Sequence, residues 1–249
     1  MVWGGGVKRS DMNLPLKSIS VVSNIEDISK ITLDEKQLIN CINAHSFNIA
    51  QTDKKFAEAL KKSDVLLADG SGILLALKLF GKGAKQRVTG WDIFIAGMER
   101  LNKRGGKAFF LGSTEVTLEK IKKRAEKEFS NISIQCFSPK FAKQFNEEQN
   151  VEMLEKINGF NPDILWVGLG SPKQELWAFE NYDKLNVNGW VAAIGAVFDF
   201  YARTIKRAPI FLQRCYLEWM YRFLQEPCRL WRRYLIGNVN FVWNVWRGM

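Results

Sequence analysis

Short apolar runs alternate with helical patterns along most of the chain, and this alternation constrains the fold more than any other feature. The runs at 18–23, 38–43, 65–68, 107–111, 132–137, 164–167 and 190–194 have the length and composition of buried strands. Helical segments follow at 53–62, 73–80, 91–103, 114–129, 147–158 and 172–180, and another helix opens at Asn43 or Ala44. Asp53 is placed to N-cap the first of these, and Pro172 stands in the first turn of the last. Such alternation predicts an α/β fold, a mostly parallel sheet covered by helices. Ligands of such sheets bind in the loops after the strands' carboxyl ends. The loops after residues 43, 68, 111, 167 and 194 are therefore where chemistry is expected. The chain is 249 residues long and 47% hydrophobic, enough to bury a core without covalent cross-links. There is no internal repeat.

The pattern changes near residue 203. Residues 203–249 hold nine basic and two acidic side chains, a net +7, whereas residues 1–202 carry only +3. The same tail holds four of the nine tryptophans. This basic, aromatic segment is expected to meet a polyanion, either an anionic membrane surface or nucleic acid. Its spacing predicts a helix from Pro209 to about Gln225, a break at Glu226-Pro227, a second helix to Gly237 and a short third one. Leu212, Tyr216, Trp219, Met220 and Phe223 share one face of the first, and Arg214, Glu218 and Arg222 another. Val239, Val242, Trp243 and Trp246 form a stripe on the last. The alternative for the tail is a helical lid packed on the body, because Trp and Tyr stripes are usually buried. The expected organisation is an N-terminal extension at 1–17, an α/β domain at 18–202 and a helical appendage at 203–249.

Several function classes are excluded. His45 is the only histidine, so a His-based triad or a multi-His metal site cannot form. Cys41, Cys136, Cys215 and Cys228 include no C-x-x-C pair and read as structural thiols in a reducing cytoplasm. The N-terminus lacks the apolar core of a signal peptide. No run of ~18 apolar residues exists to span a bilayer.

Three loops stand out. Asp69-Gly70-Ser71-Gly72 puts a carboxylate at a strand end beside glycines, which suits a general base or a cap for the next helix. Gly168-Leu-Gly-Ser-Pro-Lys-Gln-Glu175 opens a helix and offers backbone N–H groups to an anion, or serves only as a tight turn. It departs from the dinucleotide fingerprint, since Lys173 stands where the third glycine belongs. Gly112-Ser113 is a weaker loop of the same kind. Arg87, just before a helix, is either a phosphate clamp or a surface residue. No Asp-x-Asp occurs, so a departing diphosphate would be met by Arg, Lys and helix N-termini rather than by a carboxylate-bound metal ion.

In order along the chain, Asn43-Ala-His-Ser46, Ala68-Asp69-Gly70, Arg87-Val-Thr-Gly90, Phe110-Leu-Gly-Ser113, Gly168–Glu175, Gly195-Ala-Val-Phe-Asp199, Arg207-Ala-Pro209, Leu217-Glu-Trp-Met-Tyr-Arg222 and Glu226-Pro-Cys-Arg229 resemble the motifs of the WecG/TagA/CpsF family of bacterial glycosyltransferases. The likeness runs from about residue 18 to residue 234. It implies a Rossmann-like domain with a C-terminal helical appendage. It also implies an inverting, metal-independent transfer from a UDP-sugar to a polyprenyl-diphosphate-linked saccharide, with no cofactor, at the inner face of the cytoplasmic membrane. The sugar in such relatives is N-acetylmannosamine, its uronic acid or glucuronic acid, and the Asn-x-His-Ser variant looks more like exopolysaccharide and capsule members. Asp69 matches the proposed base. Asn43, Arg87, Gly112, Ser113, Gly168, Gly170, Pro172, Lys173, Gln174, Asp199, Arg222 and Arg229 fall at substrate-facing positions, the last two in the appendage. The Thr of the teichoic-acid members' Thr-x-Asn is Cys41 here. Nucleic acid is not expected as a partner; a homo-oligomer is allowed. The competing classes are a nucleic-acid-binding protein using the tail, and a nucleotide-sugar-binding protein without turnover.

Overall fold

The computed structural model describes residues 13–84 and 86–249, apart from the side chains of Arg214 and Arg229. Its strands are β1 (Gln37–Ile42), β2 (Val65–Ala68), β3 (Gly106–Gly112), β4 (Ile132–Phe137), β5 (Ile164–Gly168) and β6 (Trp190–Ala193). They form one sheet in the order β2-β1-β6-β5-β3-β4, with every pair parallel. Side chains alternate along each strand and feed two cores. Ile39, Leu67, Phe110, Trp166 and Trp190 face one layer, which is covered by α4 (Gly90–Arg104), α5 (Glu115–Glu128) and α8 (Val197–Tyr201). Leu38, Leu66, Phe109, Leu165 and Val191 face the other. That layer is covered by α1 (Ala44–Thr52), α2 (Lys54–Lys61), α3 (Ser71–Leu79), α6 (Glu147–Phe160) and α7 (Lys173–Asn181). Burial on both faces explains why the strands read as continuous apolar runs.

Local chemistry sets the helix starts. The Asn43 side chain accepts from His45 N (3.0 Å) and Ser46 N (3.1 Å), while Asn43 N donates to Ser46 Oγ, forming a capping box. Asp53 caps α2 by accepting from Phe56 N at 3.0 Å. Pro172 occupies the N-cap of α7, one position before the first-turn site expected of it, because α7 starts only at Lys173.

Three expectations are corrected. The strand expected at 18–23 reduces to a single bridge, Val22 to Leu67 on the β2 edge. The chain then turns at once, because Asn24 caps a short 3₁₀ segment at Ile25–Lys30. The helix expected from Pro209 to Gln225 is two helices, α9 (Ile210–Arg214) and α10 (Glu218–Gln225). Tyr216 has φ 60° between them, and Leu217 N donates to Leu212 O while Tyr216 N donates to Gln213 O, which closes α9 as a Schellman motif. The break expected at Gly237 is absent. Helix α11 (Pro227–Trp231) continues through a π turn at Arg232–Ile236 into α12 (Gly237–Gly248). The Gly237 carbonyl accepts from Asn48 Nδ2 of α1 at 2.6 Å, which ties the two helices at this point.

The tail is partly core, as the lid alternative has it. Phe241 and Val245 are buried in the layer of α1 and α3, with Phe241 edge-on to Phe47 at 5.5 Å. The stripe of Val239, Val242, Trp243 and Trp246 is exposed. At the other end of the chain, residues 1–12 of the expected extension lie outside the described residues, while Leu14 and Leu16 are buried in that same layer. Among the described residues no helix is long and apolar enough to cross a membrane, and all four cysteines are unpaired.

Candidate active site

The parallel register levels the strand ends. Ile42 pairs with Ala68, so Asn43 and Asp69 leave the sheet side by side. Gly112 pairs with Gly168, which brings those two loops together. These loops, those after β4 and β6, and the tail helices line one cleft of about 1790 Å³. Every loop expected to carry chemistry opens into it, as does the loop at 138–145 after β4, which sequence patterning had not singled out.

Asp69 sits at the end of β2 with its backbone N donating to Ile42 O and Leu67 O. It does not cap α3, whose N-cap is Gly70 (φ 130°) with no side-chain cap bond. Removal from water lifts the Asp69 carboxyl to about 6; Arg87 and Arg222 pull it down, while Glu218 and Asp92 push it up. Val88 N donates to Ala68 O at 3.1 Å, and this ties the Arg87 loop to the end of β2. Arg87 is not a free clamp. Its Nη2 pairs with Glu218 Oε2 of α10 at 2.5 Å, and Arg207 Nε approaches Glu218 Oε1 at 3.6 Å. Arg222 lies over the Phe200 ring at 5.3 Å, and its buried Nε has no hydrogen-bond partner among the described residues. Arg229 belongs to α11, but its side chain lies outside the described residues.

The loop after β5 is shaped by its glycines. Gly170 has φ 80° with open space beyond its Cα, and its N–H donates to Gln174 Oε1 at 3.2 Å. Gln174 Nε2 donates to Glu175 Oε1 at 3.0 Å. Glu175 is 2% exposed, and burial lifts its carboxyl to about 7. Lys173 turns from the loop: its ammonium donates to Ala142 O at 2.8 Å and lies over Phe145 at 4.5 Å. Ser113, with φ 59°, donates its N–H to Gly168 O and accepts from Ser138 Oγ at its carbonyl. Asp199, in the first turn of α8, accepts from Thr204 N at its carbonyl. Burial and Arg233 hold the His45 imidazole down to about 4, so it is neutral.

Asn43, Asp69, Arg87, Gly112, Ser113, Gly168, Gly170, Lys173, Gln174, Asp199 and Arg222 thus all border one cleft. Pro172 stands one residue back, joined to Ser171 by a cis bond. Glu218, Arg207 and Glu175 were missed as site residues. The Arg214, Glu218, Arg222 spacing signalled Glu218 only as part of a helix face. Among the described residues no three His, Cys, Asp or Glu side chains gather as a metal site.

Comparison with known proteins gives a consistent picture. The family described as Glycosyl transferase WecG/TagA/CpsF matches residues 9–249, which extends the likeness past both ends of the motif match. An N-acetylglucosaminyldiphosphoundecaprenol N-acetyl-beta-D-mannosaminyltransferase of Bacillus spizizenii is 32% identical over 75% of this chain and 70% of its own length. The proteins with the same description from Bacillus subtilis and Staphylococcus aureus are 28% and 25% identical, over 90% and 86% of this chain and 85% and 82% of their own lengths.

Proposed function

The chain belongs to the WecG/TagA/CpsF family of glycosyltransferases, and from that premise we propose that it moves a hexose-derived sugar from a UDP-sugar to a polyprenyl-diphosphate-linked saccharide, with inversion, using Asp69 as general base. The observation that carries this reading is the recessed Asp69 carboxyl, lifted to about 6 and flanked by Arg87 and Arg222. A base of that pKa is ionised at neutral pH and still strong enough to take a proton. N-acetylmannosamine, its uronic acid and glucuronic acid are the donor sugars proposed.

In the proposed reaction the acceptor hydroxyl gives its proton to Asp69 as its oxygen forms a bond to the anomeric carbon. The bond from that carbon to the UDP oxygen breaks on the opposite face. The charge that develops on the departing diphosphate meets the backbone N–H groups opening α7, the Gly168–Gln174 loop and the unpartnered Arg222 Nε. Asn43 uses its Oδ1 on the helix cap, so its Nδ2 is the donor a sugar would meet. Gln174, held by Gly170 and Glu175, presents a fixed amide to the same ligand. Arginines and helix ends stand in this reading where other transferases use a metal ion.

We assign the tail to the inner membrane surface. Each basic residue near an anionic leaflet contributes about 1 kcal/mol. Arg207, Arg222, Arg232 and Arg233 line the cleft and so are not counted toward the surface. The exposed Trp243, which does not border the cleft, adds interfacial burial. Docking of the tail would hold α10, and with it Arg222, over the site.

The test is a thermal-shift and turnover screen with EDTA present. It offers UDP and a panel of UDP-sugars with a short-chain polyprenyl-diphosphate GlcNAc acceptor to the wild type and Asp69→Ala. UDP should stabilise both proteins, and one sugar should turn over in the wild type alone. Absence of UDP stabilisation would sink the nucleotide-sugar reading. Turnover that needs added Mg²⁺ would overturn metal independence. Anionic vesicles should raise turnover of a soluble acceptor, and an unchanged rate would remove the membrane assignment.

A further inference from the structure

The cleft has a second, apolar end that the chemistry at Asp69 does not use. Helices α3 and α12 both border the cleft as it leaves the strand-end loops. Near the start of α3, Gly72 lets the Phe241 ring approach so closely that a Cβ there would stand 3.1 Å from it. At the far end Lys17 ties the two helices, lying over the Phe80 ring at 5.3 Å and donating to Met249 O at 3.0 Å. Between these points Ala76 and Phe241 form a buried apolar floor. Leu75 and Leu79 stand on one wall at 60% and 59% exposure, and Val242 and Trp246 on the other at 66% and 62%. All six side chains border the same cleft as Asp69, whereas the neighbouring Val239 and Trp243 of α12 do not.

We infer that this groove takes the first isoprene units of the lipid acceptor, so that the enzyme reads the chain as well as the sugar. The inference rests on the transferase reading above and names where one part of its acceptor lies. Three observations favour a prenyl chain as the occupant. The groove is continuous with the cleft that holds Asp69 and Arg222, and an acceptor joined through a diphosphate needs such a sequence of polar site, cation and apolar channel. The cleft volume of about 1790 Å³ exceeds the ~300–1,000 Å³ of ordinary small-molecule pockets, which leaves space beside a nucleotide sugar. The walls extend along α3 for ~12 Å from Ser71 to Leu79 at ~1.5 Å per residue, a reach suited to an extended chain. Leu75 and Leu79, one helical turn apart on a helix that borders the active cleft, are exposed among the described residues, and burying them against hydrocarbon is favourable.

The experiment measures KM for GlcNAc-diphosphate acceptors carrying one, two or four isoprene units, kept below micelle-forming concentrations and without vesicles or detergent. In the wild type KM should fall at least about tenfold from one unit to four. In Leu75→Asn/Leu79→Asn the fall should shrink to about twofold, and Val242→Asn, on the opposite wall, should flatten it as well. These positions are exposed, so the variants should keep their melting temperature and UDP affinity, both measured alongside. Val239→Asn, outside the groove, should keep the wild-type slope. A wild-type KM independent of chain length, with turnover on all three acceptors, overturns the groove and leaves the transferase reading standing. Variants that lose vesicle binding but keep the slope overturn it too, because that face then meets the bilayer rather than the chain. Absence of turnover on every acceptor overturns the transferase reading and the groove with it.

Discussion

Arg87 Nη2 and Glu218 Oε2 meet across 131 residues of sequence, at side-chain exposures of 15% and 13%, and so join the loop before α4 to the tail helix α10. Glu218 therefore has two effects on Asp69. Its charge raises the Asp69 pKa directly, and it offsets the arginine that lowers it. Glu218→Gln should move the acid limb of the kcat/KM profile below pH 6. It should also loosen α10, seen as faster limited proteolysis between residues 203 and 226. An acid limb that moves upward would contradict the arrangement.

Arg87→Gln should have the opposite sign. Removing the cation beside Asp69 leaves burial less opposed, so the acid limb should move above pH 6. The variant also takes from Glu218 its partner at 2.5 Å, so proteolysis between residues 203 and 226 should again speed up. The two substitutions together bracket the wild-type limb, and a pH–rate series on both checks the sign of each.

Asp69→Asn separates catalysis from stability. Loss of a positioned base costs roughly 10²–10⁴-fold in rate. The folded-state pKa of Asp69, about 6, lies above its unfolded value. The folded protein is therefore penalised as pH rises from about 4 to 6, and the penalty persists above that window. The variant should thus melt higher than wild type at pH 7.5 and lose that advantage near pH 4. A lower melting temperature at pH 7.5 would mean that the carboxylate is better solvated or paired than its surroundings indicate.

Glu175→Gln makes a related test at a fully enclosed position. Burial lifts this carboxyl from its ordinary 4.5 to about 7, so stability should fall between those pH values, where the unfolded chain's glutamate is ionised and the buried one still holds its proton. Glutamine keeps the acceptor for Gln174 Nε2 and removes the charge. At pH 8 the variant should be more stable by up to about 3 kcal/mol. At pH 4.5 the two proteins should be equal, which a pair of urea titrations would establish.

The parts legible in the sequence were those set by neighbours along the chain. Val65–Ala68 is a strand because four apolar residues stand between polar helix ends, and its bounds agree with the expectation. The caps at Asn43 and Asp53 follow from local side-chain chemistry. The loops that meet in the cleft follow from strand–helix alternation, which puts all strand ends on one edge. Features set by distant contacts were not legible. Tyr216 takes a left-handed backbone without glycine or proline to announce it, and the resulting turn separates α9 from α10. Gly237 suggests a helix end, yet the helix runs through it, with its carbonyl accepting from Asn48 Nδ2 of a distant helix. Lys173, expected at a substrate-facing position, borders the cleft, but its ammonium is held by the chain after β4. Its direction depends on Ala142 and Phe145, which precede it in the chain but border it only after β4 and β5 are in register with β3.

Glycines of the cleft resolve into two kinds that the sequence could not tell apart. Gly112 has φ 109°, and a Cβ there would stand 2.6 Å from Gly168 O, a backbone atom of the neighbouring strand. Gly112→Ala must therefore adopt an unfavourable φ at ~1–2 kcal/mol and also part β3 from β5, with overpacking of about 1–3 kcal/mol. It should melt at least several degrees lower whether or not UDP is bound. Gly170 also has a positive φ, 80°, but nothing lies within 4 Å of its would-be Cβ. Gly170→Ala should cost only the ~1–2 kcal/mol of backbone strain. Its methyl group would enter the space where a diphosphate would approach the loop, so UDP affinity should fall about tenfold or more. Calorimetric titration of UDP into both variants, well below their melting temperatures, distinguishes the two. A Gly170→Ala protein that binds UDP as the wild type does would show that the diphosphate does not lie against this loop, and would move the donor site toward the α5 end of the cleft.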